Sequence, residues 1–360
     1  MLPFISVVIP VRNERAMLPR LLDELIKQNY PADLFEVLVV DGQSTDGTAD
    51  LVRRRYSRQR VRIQVLDNPA IRSSAGRNIG VRAAKGDVIV FIDGHCMAPS
   101  RNLLEDTAAI LGQTGAGCLC RPQPLLAPAA TPTGEAIAQA RAHWLGHGRD
   151  SLIYNMQKRG FVDPASSGAT YVRSVFERVG LYDENFDACE DVELNTRVRK
   201  AGIRAFTDPR LAVYYQPRKN ARRLFGQMMR YGRGRIRLMR KHPDTFSKAT
   251  LAPLAILLAL AVVPLAWMLL PRIAADILSI PAMLFAVTVA VAALQLAFRH
   301  GIASAWRAPR IFAAIYCGLG AGLLAEALTP AKPAAAVPVV LDVLRPGQEL
   351  EIVEQADRAA

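Results

Sequence analysis

From Leu251 to Leu270 the chain reads LAPLAILLALAVVPLAWMLL, 20 residues without a charge. A helix needs about 20 consecutive apolar residues to cross the hydrocarbon core of a bilayer. Ile277 to Phe298 is a second uncharged run, and Ile311 to Leu328 a third, broken only by Glu326. These runs predict a transmembrane region over 246–330 with spans at 251–270, 277–298 and 311–328, the third either crossing or re-entrant. Three buried core helices are the competing reading, and the length of the first two runs weighs against it.

Charge supports a membrane. The formal net charge is +13, and ten Lys/Arg with no acid lie between Arg218 and Lys241, just ahead of the first apolar run. Juxtamembrane cations mark the cytoplasmic side. Their interleaving with Leu224, Phe225, Met228, Met229, Ile236 and Met239 predicts a basic amphipathic interfacial segment, 218–245, lying on anionic membrane lipids. Nucleic acid is excluded as the partner because no binding motif accompanies the cluster. The strand-like FISVVIPV begins at Phe4, so no signal peptide is expected and residues 1–217 are placed in the cytoplasm. The loop RHGIASAWRAPR is basic, as a cytoplasmic loop should be. A tail, 331–360, follows on the far side; after Leu328 there are three basic and five acidic residues. The expected location is therefore the inner (cytoplasmic) membrane, multi-pass. The five cysteines fit a reducing compartment, and Cys118-x-Cys120 has no second pair to make a zinc knuckle.

The first 217 residues alternate. FISVVIPV, FEVLVVDG, VRIQVLDN and DVIVFIDG are apolar, β-rich runs separated by helix-like segments. One of these has Leu18, Leu21, Leu22, Leu25 and Ile26 at helical spacing, and another opens with Ser73 or Ser74 as a plausible N-cap. The pattern predicts an α/β domain with a doubly wound sheet whose strands are covered on both faces. Ligands of such sheets bind beyond the carboxyl ends of the strands. Those ends carry Pro10-Val11-Arg12-Asn13-Glu14, Asp41, Asp67-Asn68 and Asp93-Gly94-His95, three of the four ending on an acid. Asp also favours turns and caps, so an acidic rim can arise without function.

GQSTDGT puts Thr48 where a phosphate-binding loop requires lysine, and no G-x-G-x-x-G follows a strand, which excludes ATPases and dinucleotide readers. A nucleoside diphosphate held through a divalent cation remains, since two phosphates approach an acidic rim only with a metal between. Asp93 and His95, two apart on an extended segment, would point the same way and share that ligand.

VVIPVRNE, VDGQSTDGT, SSAGRNIGVRAAKGDVIVFIDGH and CEDVELNTRVRKAG, in this order, resemble the family 2 glycosyltransferases of GT-A fold, with closest likeness to the succinoglycan-type, ExoA-like membrane enzymes; the likeness covers about residues 4–240. The resemblance implies a UDP-sugar donor and inversion at the anomeric carbon. It implies that Pro10, Arg12, Glu14 and Asp41 line the nucleotide pocket and that Arg77 and Asn78 face the nucleotide and diphosphate. Asp93 matches the first acid of the family's D-x-D metal motif, and His95 stands where a second acid is common. Imidazole suits Mn²⁺ better than Mg²⁺, so Mn²⁺ is the expected cofactor. Asp191 matches the catalytic base at the start of a helix, where a carboxylate is favoured by the dipole, with Val192, Leu194 and Val198 facing inward and Glu190 beside it toward acceptor and diphosphate. Gln227, Arg230 and Tyr231 resemble the Q-x-x-R-W motif over acceptor and diphosphate.

His143 and His147, four apart, would share a helical face, but without a zincin glutamate they indicate a structural or acceptor-cleft placement rather than a second metal, with Trp144 available to stack on a sugar. The implied activity is hexosyl transfer from a UDP-sugar to a polyprenyl-diphosphate-linked oligosaccharide in exopolysaccharide or envelope glycan synthesis, alongside other glycan-assembly proteins. Its rivals are a processive synthase subunit and a non-catalytic membrane scaffold. The scaffold is disfavoured because Asp93 and Asp191 are both present. A sugar-1-phosphate nucleotidyltransferase would need a basic triphosphate loop that VVIPVRNE does not supply.

Overall fold

A computed structural model describes residues 1–125, 131–147 and 151–330. The tail at 331–360 lies outside the described residues. The first half contains β1 (Ile5–Val11), α1 (Leu18–Ile26), β2 (Phe35–Asp41), α2 (Thr48–Arg55), β3 (Arg62–Asp67), α3 (Ser73–Ala83), β4 (Val88–Phe91), β5 (Cys96–Met97), α4 (Leu103–Thr114) and β6 (Cys118–Cys120). Then come α5 (Pro132–Ala142), α6 (Trp144–His147), β7 (Gly160–Val162), β8 (Gly168–Val172), α7 (Arg173–Val179), α8 (Glu190–Lys200), β9 (Ala205–Thr207) and β10 (Tyr214–Tyr215). Four long helices close the described chain: α9 (Ala221–Lys241), α10 (Ala252–Leu269), α11 (Arg272–His300) and α12 (Ile302–Ala327).

The main sheet has the order β3-β2-β1-β4-β8-β6-β9-β7, and β5 pairs with β10 in a second, two-stranded sheet. β3, β2, β1 and β4 are mutually parallel, so their carboxyl ends share one rim. β8 runs antiparallel to both β4 and β6, which makes the sheet mixed. β1 and β2 are buried almost throughout, and α1 lays Leu18, Leu21, Leu22 and Leu25 on them, all fully buried. Each such leucine contributes about 1.5–3 kcal/mol. β3 departs from the expectation of two covered faces: it is an edge strand, and its Arg62 and Gln64 stay partly in solvent.

α10, α11 and α12 each belong to a helix long and apolar enough to cross a membrane. α11 and α12 start earlier than the apolar runs suggest, at Arg272 rather than residue 277 and at Ile302 rather than residue 311. Only 11% and 17% of the apolar windows of the first two are buried, against 50% for α12. α12 is thus an inner helix, and its partner is α9. Part of the apolar side of α9, expected to rest on lipid, is taken up by this contact. Leu224 and Met228 pack instead with Ile311, Phe312 and Ile315 of α12, while Arg222, Arg223, Arg230, Arg235 and Arg240 remain exposed. Glycine makes the approach possible: a Cβ on Gly322 would sit 2.1 Å from the Met229 carbonyl oxygen and 3.0 Å from the Gly232 Cα. Arg237 of α9 closes the contact with a two-pronged ion pair to Glu326, at 2.7 and 3.1 Å.

Candidate active site

The rim is built by two loops that interlock. The Asn13 and Glu14 amides donate to Ser44 Oγ and Thr48 Oγ1, the Thr45 amide donates to Asn13 Oδ1, and the Arg15 amide to Asp46 Oδ2. RNER and QSTDGT are therefore one unit, with Asn13 and Gln43 in the left-handed region. At its base Asp41 accepts the Ser44 amide through Oδ2, leaving Oδ1 buried without a partner. Asp67, by contrast, is exposed and paired with Arg53. Pro10 is half-buried along this wall and Arg12 is exposed.

Asp93 and His95 do not lie on an extended segment. The chain turns there, the Cys96 amide donating to the Asp93 carbonyl. Gly94 is needed for the turn: a Cβ would stand 2.7 Å from Val11 Cγ1. The turn directs His95 Nδ1 to Glu14 Oε1 at 3.0 Å and leaves Nε2 buried without a partner. Burial disfavours the imidazolium, yet Tyr215, Glu14 and Asp93 raise the His95 pKa to about 10. The Tyr215 ring meets the imidazole edge-on, centroids 4.8 Å apart.

Arg77 is the hub. It donates to Asp93 Oδ1 at 3.1 Å and to Glu190 Oε1 at 2.5 Å, joining the fourth strand end to the start of α8. Burial opposes ionisation of Asp93, but Arg77, His95 and Arg121 hold it below the usual carboxylate range. Burial, reinforced by Asp191, raises Glu190 against the pull of Arg77 and Ser73. Glu190 is thus engaged as a brace. Asp191 is exposed at the first turn of α8 and near enough to Arg77 and Tyr231 to act on both. Leu194 and Val198 face the core as expected, and Val192 packs with Phe186, Cys189 and Leu238.

α3 has a different job from the one the sequence suggests. Neither Ser73 nor Ser74 caps it, because Arg72 holds that position. Ser73 donates to Glu190 Oε1, Ser74 to the Phe186 carbonyl and Arg72 to the Glu184 carbonyl. Asn78 is fully buried, exchanging hydrogen bonds with the Tyr182 backbone and donating to Glu184. It does not reach the nucleotide rim. The SSAGRN stretch clamps the loop that delivers Glu190 and Asp191.

Gln227 and Tyr231 join the site from α9. Gln227 Nε2 lies 3.2 Å from the Tyr215 hydroxyl and 3.1 Å from that of Tyr231, linking both to His95, whereas Arg230 points to solvent. His143 and His147 do not share a helical face, because α5 stops at Ala142, His143 is the extended joint, and α6 runs from Trp144 to His147. His143 Nε2 and Trp144 Nε1 both meet Gln295 Oε1 of α11, at 2.8 and 3.0 Å, which ties this joint to the apolar helices. Sequence patterns gave no sign of Tyr215 or Arg121. The Arg121 guanidinium is buried beside Asp93, donating to the Phe91 carbonyl, with Nε and Nη1 unpartnered.

Among the described residues no three His, Cys, Asp or Glu converge as a metal cage. Two protein ligands completed by a ligand's own oxygens still fit a divalent cation. His95 would offer Nε2 once a cation displaces the proton that its raised pKa keeps on the ring, with Nδ1 resting on a carboxylate as in metal-binding histidines, and Asp93 stands beside it.

A mixed sheet with an acidic rim of this kind is the GT-A architecture of nucleotide-sugar transferases. The mannosyltransferase PcManGT from Pyrobaculum calidifontis, solved with GDP-Man and Mn²⁺, matches it with a TM-score of 0.61 at 20% identity, over 91% of this chain and 88% of that one. The chain belongs to glycosyl transferase family 2, whose model matches residues 6–180, and it is a glycosyltransferase. The succinoglycan biosynthesis protein ExoA of Rhizobium meliloti is 30% identical over 269 residues, 69% of this chain and 74% of that protein. The dolichyl N-acetyl-alpha-D-glucosaminyl phosphate 3-beta-D-2,3-diacetamido-2,3-dideoxy-beta-D-glucuronosyltransferase of Methanococcus voltae is 24% identical over 247 residues, 66% and 74% of the two chains.

Proposed function

We propose that this glycosyltransferase moves a hexosyl group, with inversion, from a UDP-sugar to a polyprenyl-diphosphate-linked oligosaccharide at the cytoplasmic face of the membrane. The observation that carries the reading is the Asp93–Arg77–Glu190 bridge. It sets an exposed carboxylate, Asp191, across from the rim that would hold the donor, while α9 joins that same site to the apolar helices. The likeness to a succinoglycan biosynthesis protein and to a dolichyl-phosphate-sugar transferase supports the lipid-linked acceptor.

In this reading the unpartnered Asp41 Oδ1 accepts the base N–H of the donor, and Pro10, Arg12 and Glu14 wall the nucleotide. Asp93 and His95 Nε2 would hold a divalent cation, Mn²⁺ before Mg²⁺, which when bound offsets the charge on the leaving diphosphate. Arg77 keeps Asp93 ionised and in place. Asp191 takes the acceptor hydroxyl proton as that oxygen attacks the anomeric carbon from the face opposite the diphosphate. Glu190 is left out of proton transfer because Arg77 and Ser73 occupy it. Gln227 and Tyr231 border the acceptor side.

The test is donor hydrolysis and transfer by detergent-purified protein, with UDP-sugars and GDP-mannose, in Mn²⁺, Mg²⁺ or chelator. Metal-dependent UDP release, falling by about 10²–10⁴ in Asp191→Asn with UDP binding retained, is the expected result. Full activity of Asp191→Asn, or a preference for GDP-mannose, would overturn the base or the donor respectively.

A further inference from the structure

Two arginines among the described residues are less than one-tenth exposed, Arg121 at 3% and Arg141 at 5%. Arg121 lies beside Asp93. Three half-buried arginines have carboxylates: Arg77 has Asp93 and Glu190, Arg197 has Glu193, and Arg237 has Glu326. Among the described residues Arg141 has hydroxyls instead, those of Tyr154, Tyr231 and Tyr215 lying near its guanidinium. Burying a guanidinium with no anion is unfavourable, so a pocket that keeps one is suited to an anion from outside.

The neighbours add to that character. His147 lies close to both Arg141 and Arg235, its ring 4.9 Å from that of Tyr154. The location is equally specific. Arg141 sits on α5, whose Ala136, Ile137 and Ala140 pack into one cluster with α11 and α12. On its other side Tyr231 leads through Gln227 and Tyr215 to His95, and Tyr231 also lies near Asp191. Arg141 therefore stands between the apolar helices and the reacting groups.

We infer that Arg141, with Arg235, His147 and the hydroxyls of Tyr154 and Tyr231, forms the subsite for the phosphate or diphosphate of an isoprenoid-linked acceptor. A guanidinium fork suits two phosphate oxygens. The hydrocarbon would run along α11 and α12, and the sugar would project toward Asp191. The inference rests on the lipid-linked acceptor reading above and adds where the lipid's charge is held.

The experiment titrates geranylgeranyl diphosphate into full-length protein in neutral detergent with the donor site filled by UDP and Mn²⁺. Geranylgeraniol, inorganic pyrophosphate and phosphatidylglycerol micelles serve as comparison probes. Arg141→Gln should weaken geranylgeranyl diphosphate binding by about ten- to a hundredfold, with Arg141→Lys between and Arg222→Gln unchanged. Intact UDP binding by Arg141→Gln shows that the variant is folded, and geranylgeraniol binding should not respond to Arg141. Binding of geranylgeranyl diphosphate that is indifferent to Arg141→Gln overturns the subsite and leaves the lipid acceptor standing. Arg141-dependent binding of pyrophosphate without binding of geranylgeranyl diphosphate keeps an anion site and overturns the lipid acceptor. Equal competition by phosphatidylglycerol overturns isoprenoid recognition in favour of a general anionic-lipid contact.

Discussion

Glu193 measures how firmly the helix bearing Asp191 is fastened. It is fully buried on α8 and accepts from Arg197 at 2.8 Å, Lys241 at 2.9 Å and His242 at 3.0 Å. Lys241 and His242 lie at the end of α9, so this carboxylate joins the catalytic domain to the helix packed on α12. Burial opposes its ionisation, but Arg197, Lys241 and His242 bring its pKa down to about 2 from 4.5. At about 1.4 kcal/mol per pH unit, that difference is about 3 kcal/mol of stability at neutral pH. A depressed pKa stabilises above the unfolded value and loses its effect as pH falls through the folded one. The contribution is thus whole above about pH 5, roughly half gone by pH 3, and absent below about pH 2. Glu193→Gln should therefore lower Tm at pH 7 by roughly 6–12 °C, at about 2–4 °C per kcal/mol for a domain of this size. Circular dichroism of detergent-solubilised protein from pH 7 to pH 3 checks both size and direction. A gap below about 2 °C at pH 7, or one that widens on acidification, would refute the reasoning.

Three further outcomes follow from the geometry. Glu14→Gln removes the carboxylate that orients His95 and should weaken Mn²⁺ binding by about 10–100-fold, read by electron paramagnetic resonance of free Mn²⁺ with UDP present and no turnover; unchanged affinity would show that His95 is oriented by something else. Gly322→Val places side-chain atoms against the Met229 carbonyl and should destabilise by about 1–3 kcal/mol or more. Gly112→Ala, whose Cβ meets nothing within 4 Å in the last turn of α4, should gain up to about 0.5–1 kcal/mol; thermal melts that reverse this order would contradict the α9–α12 contact.

Much of this architecture was legible in order along the chain. The apolar runs marked the three long helices, and the β-rich runs marked the four parallel strands whose ends make the rim. The helix beginning at Glu190 was also visible. These features depend on local periodicity and on single-residue chemistry, which a sequence carries directly. Asp93, Arg77, Glu190, Gln227 and Tyr231 were singled out from motif likeness, and the fold brings them together.

Their partners were another matter. Ser73 and Glu190 are 117 residues apart, and His143 and Gln295 are 152 apart. Asn78 carries a motif position yet braces a loop from within the core. The apolar side of α9 reads equally well as lipid-facing or helix-facing, and glycines on two distant helices decided between them. Arg141 shows no pattern at all in QARAHW. Burial of its charge appears only once α5 is laid against α9 and α12, because a cation's cost depends on which anions the tertiary fold brings within reach, and no local spacing encodes that.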